Sequence, residues 1–559
     1  MHASPSSTLS SAPGRLPRAL SAVVLATTLL LSACAGMGSG RPASWAPPQA
    51  LVAASSFTGV HGLAVDQKGR LLAGSVVGNA IWEVDRNTGA AKVLVGGPDG
   101  QADDIAIGPK GEMAWTNYLS GAVRIRDNDQ QASRVIASGL PGLNSLAFDP
   151  RNGKLYATQV FLGDALWELD PSGAKPPRLI ARDLGGLNGF EVGPDGMIYG
   201  PLWFKRSVAR VNPADGAVTV ISASFDTPAA ANLDGKGNVW VIDTATGELS
   251  KVALDTGARQ VVATLSSALD NLAIAPDGTI YVSNMADNGI QAVNPATGAV
   301  RQLTRGAVAV PAGIKVDGNS LWVADVFTLR KVDLGSGAVT DVKRMHAVDN
   351  DMEYPFAVGL GSKTMALASW FTGTVQLIDR ASGKTTAMLH GFKAPYDAIP
   401  MDDGSLLVAE IATGSITRAS GANFVDRQPL STGLAGPVQM VLGPDGQLYV
   451  TEAAGNVQRI DTKTGAKTQV ATGLALPEGL AFTPWGSLVV AEAAAGRLTE
   501  LDLAGNQRRT IADGLPIGLP AGPGMPPPYV PTGVAVGADG SIYLSADRNI
   551  AIYRIRPVR

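Results

Sequence analysis

The sequence predicts an all-β chain built from twelve copies of one four-stranded unit, and three observations predict it. A short apolar triplet recurs through nearly the whole chain, and turn pairs recur at fixed places between apolar runs. Beyond the first 33 residues, no segment of useful length carries the 3.6-residue period of an amphipathic helix. The triplets Leu63-Ala64-Val65, Ile105-Ala106-Ile107, Leu146-Ala147-Phe148 and Phe190-Glu191-Val192 open successive units. Others follow near residues 231, 272, 314, 357, 399, 440, 480 and 534, mostly 40 to 44 residues apart, with one stretched interval before the last.

Each unit repeats one order of elements. The first strand ends in a turn such as Asp195-Gly196, Asp277-Gly278, Asp445-Gly446 or Asp539-Gly540. A second strand rich in Tyr and Val follows, as in Ile280-Tyr281-Val282 and Leu448-Tyr449-Val450. The third alternates, as in Ile81-Trp82-Glu83-Val84-Asp85, and a Thr-Gly turn (Thr88-Gly89, Thr256-Gly257, Thr464-Gly465) leads to the fourth. Asp-Gly and Thr-Gly between β-branched runs are hairpin signals, because Gly accepts the positive φ of a tight turn. Four antiparallel strands in a repeat of this length make a β-propeller blade.

Twelve blades exceed the usual four to eight around one axis. Two tandem six-bladed β-propellers are therefore expected, over residues 50–306 and 307–559, with a single twelve-bladed ring as the alternative. The last unit stops after its third strand, Ile552-Tyr553-Arg554-Ile555. Residues 50–62 match the passage from a fourth strand to the next first strand, so residues 50–56 are expected to close blade 12.

Composition narrows the function classes. Of 559 residues, 45% are apolar and 17% charged, which excludes a disordered polyelectrolyte. A formal charge of −3 provides no electrostatic footprint for nucleic acid. The single Cys excludes an internal disulfide and a multi-Cys zinc site.

That one Cys stands where it has meaning. Residues 1–33 hold Arg15 and Arg18, then an apolar stretch over 19–31 that is short for a membrane span. Leu31-Ser32-Ala33-Cys34 follows and resembles a bacterial lipobox. The resemblance implies an acylated Cys34 as a membrane anchor, each buried methylene adding about 0.8 kcal/mol. Ala35 after the Cys resembles lipoproteins sorted to the outer membrane, facing the periplasm. Residues 34–49 read as a tether.

In a propeller, the residue just before each blade's first strand points into the channel mouth. Alignment of the blades puts His61, Asp103, Asn144, Asn188, Ala229 and Asp270 on one ring, with Asp104 and Asn271 next along. The second half gives Ala312, Pro355, Tyr396, Val438, Glu478 and Thr532, which is poorer in groups that ligate or titrate. Asn carbonyls and Asp carboxylates converging on an axis make a hard oxygen site, suited to Ca²⁺ better than to zinc. His61 and Asp103 are the candidate catalytic residues, His61 as a base. A water-filled tunnel would keep the same positions polar without any site.

The blade pattern resembles NHL, gluconolactonase/paraoxonase-like and strictosidine-synthase-like propellers over nearly the whole chain. Leu269-Asp270-Asn271-Leu272 is similar to the Asp-Asn calcium motif of paraoxonases. Leu187-Asn188-Gly189 is similar to an Asn-Gly metal motif shared with gluconolactonases, and Leu143-Asn144 repeats it one blade earlier. The resemblance implies Asn144, Asn188, Asp270 and Asn271 as metal ligands. It departs at His61, where those hydrolases carry Glu, and at Ala229, which leaves a ligand position empty.

Two inserts break the pattern, at 343–355 and at the Pro-rich 513–531, the latter read as a lid, a partner site or an exposed connection. Asp325, Glu410, Glu452, Glu492 and Asp547 recur at the end of second strands, with Arg418 and Arg459 on the strands that follow; recurrence in blade after blade marks blade staples. The functional expectation is a lipid-anchored periplasmic scaffold that binds an envelope protein or a small molecule. The alternative is a Ca²⁺-dependent lactone or ester hydrolase with its site in the N-terminal channel.

Overall fold

The structure is a computed structural model in which the described residues are 40–558, apart from 349 and 506. The signal-like segment and Cys34 lie outside them. The compact unit spans Ala43–Arg559. It holds twelve four-stranded antiparallel sheets and one two-stranded sheet. Among the described residues no helix is long and apolar enough to cross a membrane.

Eleven blades are laid down in chain order from the axis outward, as in Leu63–Val65, Leu71–Ser75, Ala80–Val84 and Ala91–Val95. The twelfth takes its outer strand, Gln49–Val52, from the start of the unit and its other three from Val534–Val536, Ile542–Ala546 and Ala551–Ile555. The first strand of blade 6, Leu269–Ile274, packs against that of blade 1. The first strand of blade 12 packs against that of blade 7, Ile314–Asp317. Two six-bladed rings therefore close separately. The chain order admits a twelve-bladed ring, and these two contacts exclude it.

Apolar side chains fill the wedges between blades. Leu71 and Trp82 of blade 1 pack with Tyr281 and Ile290 of blade 6, and Leu321 and Val323 of blade 7 with Tyr543 and Ile552 of blade 12. Second strands such as Leu71–Ser75 are buried throughout, whereas outer strands such as Val218–Ser222 are largely exposed. This explains why second strands read as continuous apolar runs. Hydroxyls on second strands tie neighbouring blades at the channel mouth. Thr116 Oγ1 donates to the Asn144 carbonyl at 2.6 Å, Thr451 Oγ1 to that of Glu478 at 2.6 Å, and Ser545 Oγ to that of Ala312 at 2.7 Å.

The recurring acids are staples, but their partners are backbone amides of the loop that leads into the same blade. Glu452 accepts from Ala435 N at 2.9 Å, Glu492 from Ala475 N at 2.9 Å, Asp547 from Leu519 N at 2.7 Å and Asp325 from Val310 N at 2.6 Å. Arg418 and Arg459 bond the turn acids Asp403 and Asp445 instead, at 3.1 and 3.0 Å. Ser44–Trp45 pairs with Pro557–Val558, and Trp45 lies 5.9 Å from Trp485, so the stretch read as a tether enters the sheet structure at Ser44.

The two rings share a core. Val77, Ala268 and Met285 of the first pack with Phe327, Met352, Phe356, Met525 and Tyr529 of the second. Arg330, buried, bonds Asp325, Asp341 and the Ala286 carbonyl. Arg344 reaches Asp287 at 2.9 Å and the Ser267 carbonyl at 2.8 Å. The Pro-rich loop is a wall between the rings: Leu515, Ile517, Met525, Tyr529 and Val530 are buried, Asn79 Nδ2 donates to Pro520 O at 3.4 Å, and Trp370 Nε1 to Tyr529 O at 2.8 Å.

Candidate functional site

Five of the six positions placed on the first ring face one cavity of about 90 Å³: His61, Asp103, Asn144, Asn188 and Asp270. Ala229 is buried in the blade core. The roof comes from the second propeller, chiefly Phe327, His346, Tyr354, Phe371 and Tyr529. Each floor residue occupies the same place in its blade, where the chain turns from an outer strand inward. That common place is why residues about 40 apart meet.

His61 is 7% exposed and its Nδ1 lies 2.8 Å from the Gly59 carbonyl. A carbonyl only accepts, so Nδ1 carries the proton and Nε2 keeps its lone pair. Burial holds this imidazole down at about 4, against the Gly59 bond, which favours the charged form. The ring stands edge-on to Phe327 at 5.4 Å.

Asp103 and Asp270 are partly buried, and among the described residues neither carboxylate has a hydrogen-bond donor. Burial, then the charges of Asp270 and Asp104, push Asp103 well above the ordinary carboxylate range. Burial, then Asp104, pushes Asp270 up to about 7. Asp104 also rises to about 7 through burial, although it accepts from Ile105 N at 2.9 Å and from Asn271 Nδ2 at 2.9 Å. No Lys or Arg lines the cavity among the described residues.

The two Asn of the floor converge on one hydroxyl, with Ser145 Oγ 2.9 Å from Asn144 Oδ1 and 3.1 Å from Asn188 Oδ1. Asn188 Oδ1 also accepts from Gly189 N at 2.9 Å. Asn271 stands elsewhere: its Oδ1 accepts from Leu272 N at 2.7 Å while its Nδ2 serves Asp104, and it does not line the cavity. Among the described residues no three His, Cys, Asp or Glu side chains are grouped to hold a metal ion. The hard oxygens that do face the cavity, from Asp103, Asp270, Asn144 and Asn188, have the chemistry Ca²⁺ accepts.

A belt of rings surrounds the cavity, each edge-on or tilted to the next. Phe161 lies 5.2 Å from Trp203, Trp203 5.3 Å from His346, His346 6.4 Å from Tyr354, Tyr354 5.2 Å from Phe371, and Phe371 6.5 Å from Tyr118. Burial holds His346 down at about 4. Tyr354 lines the same cavity as the acid pair, and burial, then the charges of Asp103 and Asp270, pushes its phenol up. Sequence reading singled out neither Tyr118 nor Phe371. It marked His346 only as one of several groups in the 343–355 insert that could hold a cation, and Tyr354 and Tyr529 only by their place in the two irregular inserts. Glu478 is buried in the second ring, accepting from Thr532 N at 2.6 Å, away from this cavity.

No family of known proteins matches the chain, and no curated protein matches it. Among solved structures, a streptogramin B lyase is 16% identical with a TM-score of 0.34, covering 52% of this chain and 93% of its own. The extracellular domain of the putative one component system BT4673 from B. thetaiotaomicron is 12% identical with a TM-score of 0.32, covering 89% of this chain and 76% of its own. A nidogen/laminin complex chain is 16% identical with a TM-score of 0.25, covering 41% of this chain and 91% of its own. The β-propeller fold of this chain stands on its own twelve four-stranded sheets and their closure into two rings.

Proposed function

We propose that the protein is a lipid-anchored binding scaffold of the bacterial cell envelope whose paired propellers hold a small molecule in the chamber between them. One observation carries the binding reading: Asp103 and Asp270, two carboxylates without a donor among the described residues, face a cavity that the other propeller roofs. A concave, apolar-walled pocket with a few convergent polar groups of displaced protonation has the character of a binding or active site. Anchorage at Cys34 and a periplasmic, outer-membrane location rest on the lipobox-like Leu31-Ser32-Ala33-Cys34.

A second reading is a gluconolactonase/paraoxonase-like, Ca²⁺-dependent lactone or ester hydrolase. It is favoured by the Asp270 and Asn188 motifs lying on one floor beside a neutral His61 with a free Nε2 lone pair. Asp103, Asp270, Asn144 and Asn188 would hold the ion, and Asn271, already bonded twice, would not. Bound there, the ion would polarise a carbonyl oxygen. His61 would take the proton of a water at Nε2, with Nδ1–H fixed on Gly59.

Thermal unfolding in EDTA and in millimolar Ca²⁺ separates the readings. A site filled at 100 times its dissociation constant adds about 2.7 kcal/mol. A shift that Asp270→Asn abolishes, joined to turnover of aryl esters or lactones, supports the hydrolase. No shift and no turnover leaves the scaffold.

A further inference from the structure

We infer that the chamber takes an organic cation, an ammonium group on an apolar body of about one ring, with the charge at Asp103 and Asp270 and the body against Trp203, Tyr354 and Phe371. This deepens the small-molecule reading and rests on it.

The first argument is charge. Two carboxylates face the cavity without a donor among the described residues, and the third acid beside them, Asp104, is engaged by backbone and by Asn271. The walls supply no Lys or Arg among the described residues, and both imidazoles, His61 and His346, are neutral at neutral pH. Ionised carboxylates buried without a countercharge are costly, and the partner that relieves them is a cation.

The second argument selects the kind of cation. Six rings belt the cavity, and an ammonium over the face of Trp or Tyr is attracted by the ring quadrupole. A metal ion that keeps its waters gains little from such walls, and Ca²⁺ asks for six to eight oxygens. Here only Asp103, Asp270, Asn144 and Asn188 offer side-chain oxygens to the cavity, Asn188 Oδ1 already accepts from Gly189 N, and the carboxylate of Asp104 is taken by backbone and by Asn271.

The third argument is the mouth. Phe161 lines the cavity and is 43% exposed, with Leu162 at 50% and Phe204 at 54%, the two phenyl rings edge-on at 5.7 Å. Phe161 holds a left-handed backbone, φ 67°, which a bulky residue adopts only where its surroundings impose it. Exposed apolar side chains at Phe161, which lines the cavity, and an acidic floor within it match the two ends of an amphipathic cation.

The test is calorimetric titration of the purified protein with 2-phenylethylammonium, phenethyltrimethylammonium, the neutral isostere 2-phenylethanol, and CaCl₂. The ammonium probes are expected to bind at least about tenfold more tightly than the alcohol. Asp103→Asn/Asp270→Asn is expected to erase that preference, and Tyr354→Leu to weaken the cations more than the alcohol. Circular dichroism and melting confirm that each variant is folded, and Asp270→Asn alone serves if the double variant is not. Equal or tighter binding of the alcohol, or a preference that survives the Asn substitutions, overturns the cation while leaving a small-molecule chamber in place. Binding of Ca²⁺ with neither ammonium probe also overturns it. Failure of a wider set of neutral, anionic and cationic molecules to alter Trp fluorescence or melting overturns the chamber reading as well.

Discussion

The side-chain amide of Asn271 in blade 6 donates to the carboxylate of Asp104 in blade 2 at 2.9 Å, passing blade 1 at the channel mouth. The bond sets the two residues as a strut, and their chain neighbours Asp270 and Asp103 then lie together on the chamber floor. The amide of Asn271 is used at both ends, its Nδ2 on Asp104 and its Oδ1 on Leu272 N.

Asn271→Ala is expected to lower stability by about 1–3 kcal/mol, because it strips a buried carboxyl of its side-chain donor. Urea unfolding checks this. Wild-type stability in the variant would mean that the strut is incidental.

The acid pair sets a pH dependence with a definite sign. The folded pKa of Asp270 is raised to about 7 from an unfolded value near 3.8, so its contribution is fully present below the unfolded value and is lost as pH rises through 7. Asp103 shifts the same way. In the absence of ligand, Asp270→Asn should therefore raise the melting temperature at pH 8 and change it little at pH 4. An equal effect at both pH values would show that Asp270 is not held in this environment.

His61 gives the opposite slope. Its folded pKa is depressed to about 4, so stability is lost as pH falls from 6.5 toward 4. His61→Gln should flatten the melting curve in that window, measured by differential scanning calorimetry. A slope unchanged by the substitution would place the titration elsewhere.

Gly62 tests how tightly the floor is set. A Cβ there would stand 2.4 Å from the Asp103 carbonyl and 2.8 Å from Asp104 Cα. Gly62→Ala must push blade 2 outward, at a cost of about 1–3 kcal/mol. Thermal melting reads the loss, and a silent substitution would mean that the two blades are not in this contact.

Arg330 tests the junction of the rings. It is buried against Asp325 and reaches the Ala286 carbonyl of the other propeller. Arg330→Met leaves Asp325 buried without its countercharge, with only backbone amides as donors, and should cost about 3–5 kcal/mol. Calorimetry is expected to resolve two transitions in place of one. A single unshifted transition would show that the rings do not depend on this residue.

Much of the molecule was legible in the chain because a blade is a local object. Apolar alternation, Asp-Gly turns and Thr-Gly turns all act within about 40 residues, and each copy repeats the same instructions. The position before each first strand inherits that regularity, which is why His61, Asp103, Asn144, Asn188 and Asp270 could be placed on one ring from spacing alone. The recurring acids were legible as staples, while their backbone partners were not, since an amide leaves no mark in a residue name.

Tertiary structure decided the rest. Asn271 and Asp104 meet across 167 positions, and no turn or period couples them. The roof of the chamber includes Tyr354, Phe371 and Tyr529, which acquire a role only because one propeller faces another, and two surfaces far apart in sequence share no local signal. The sequence by itself determined twelve blades and a polar ring, through forces that act between near neighbours. Only the packing of ring upon ring decided that this polar ring is enclosed, acidic and walled with aromatic side chains.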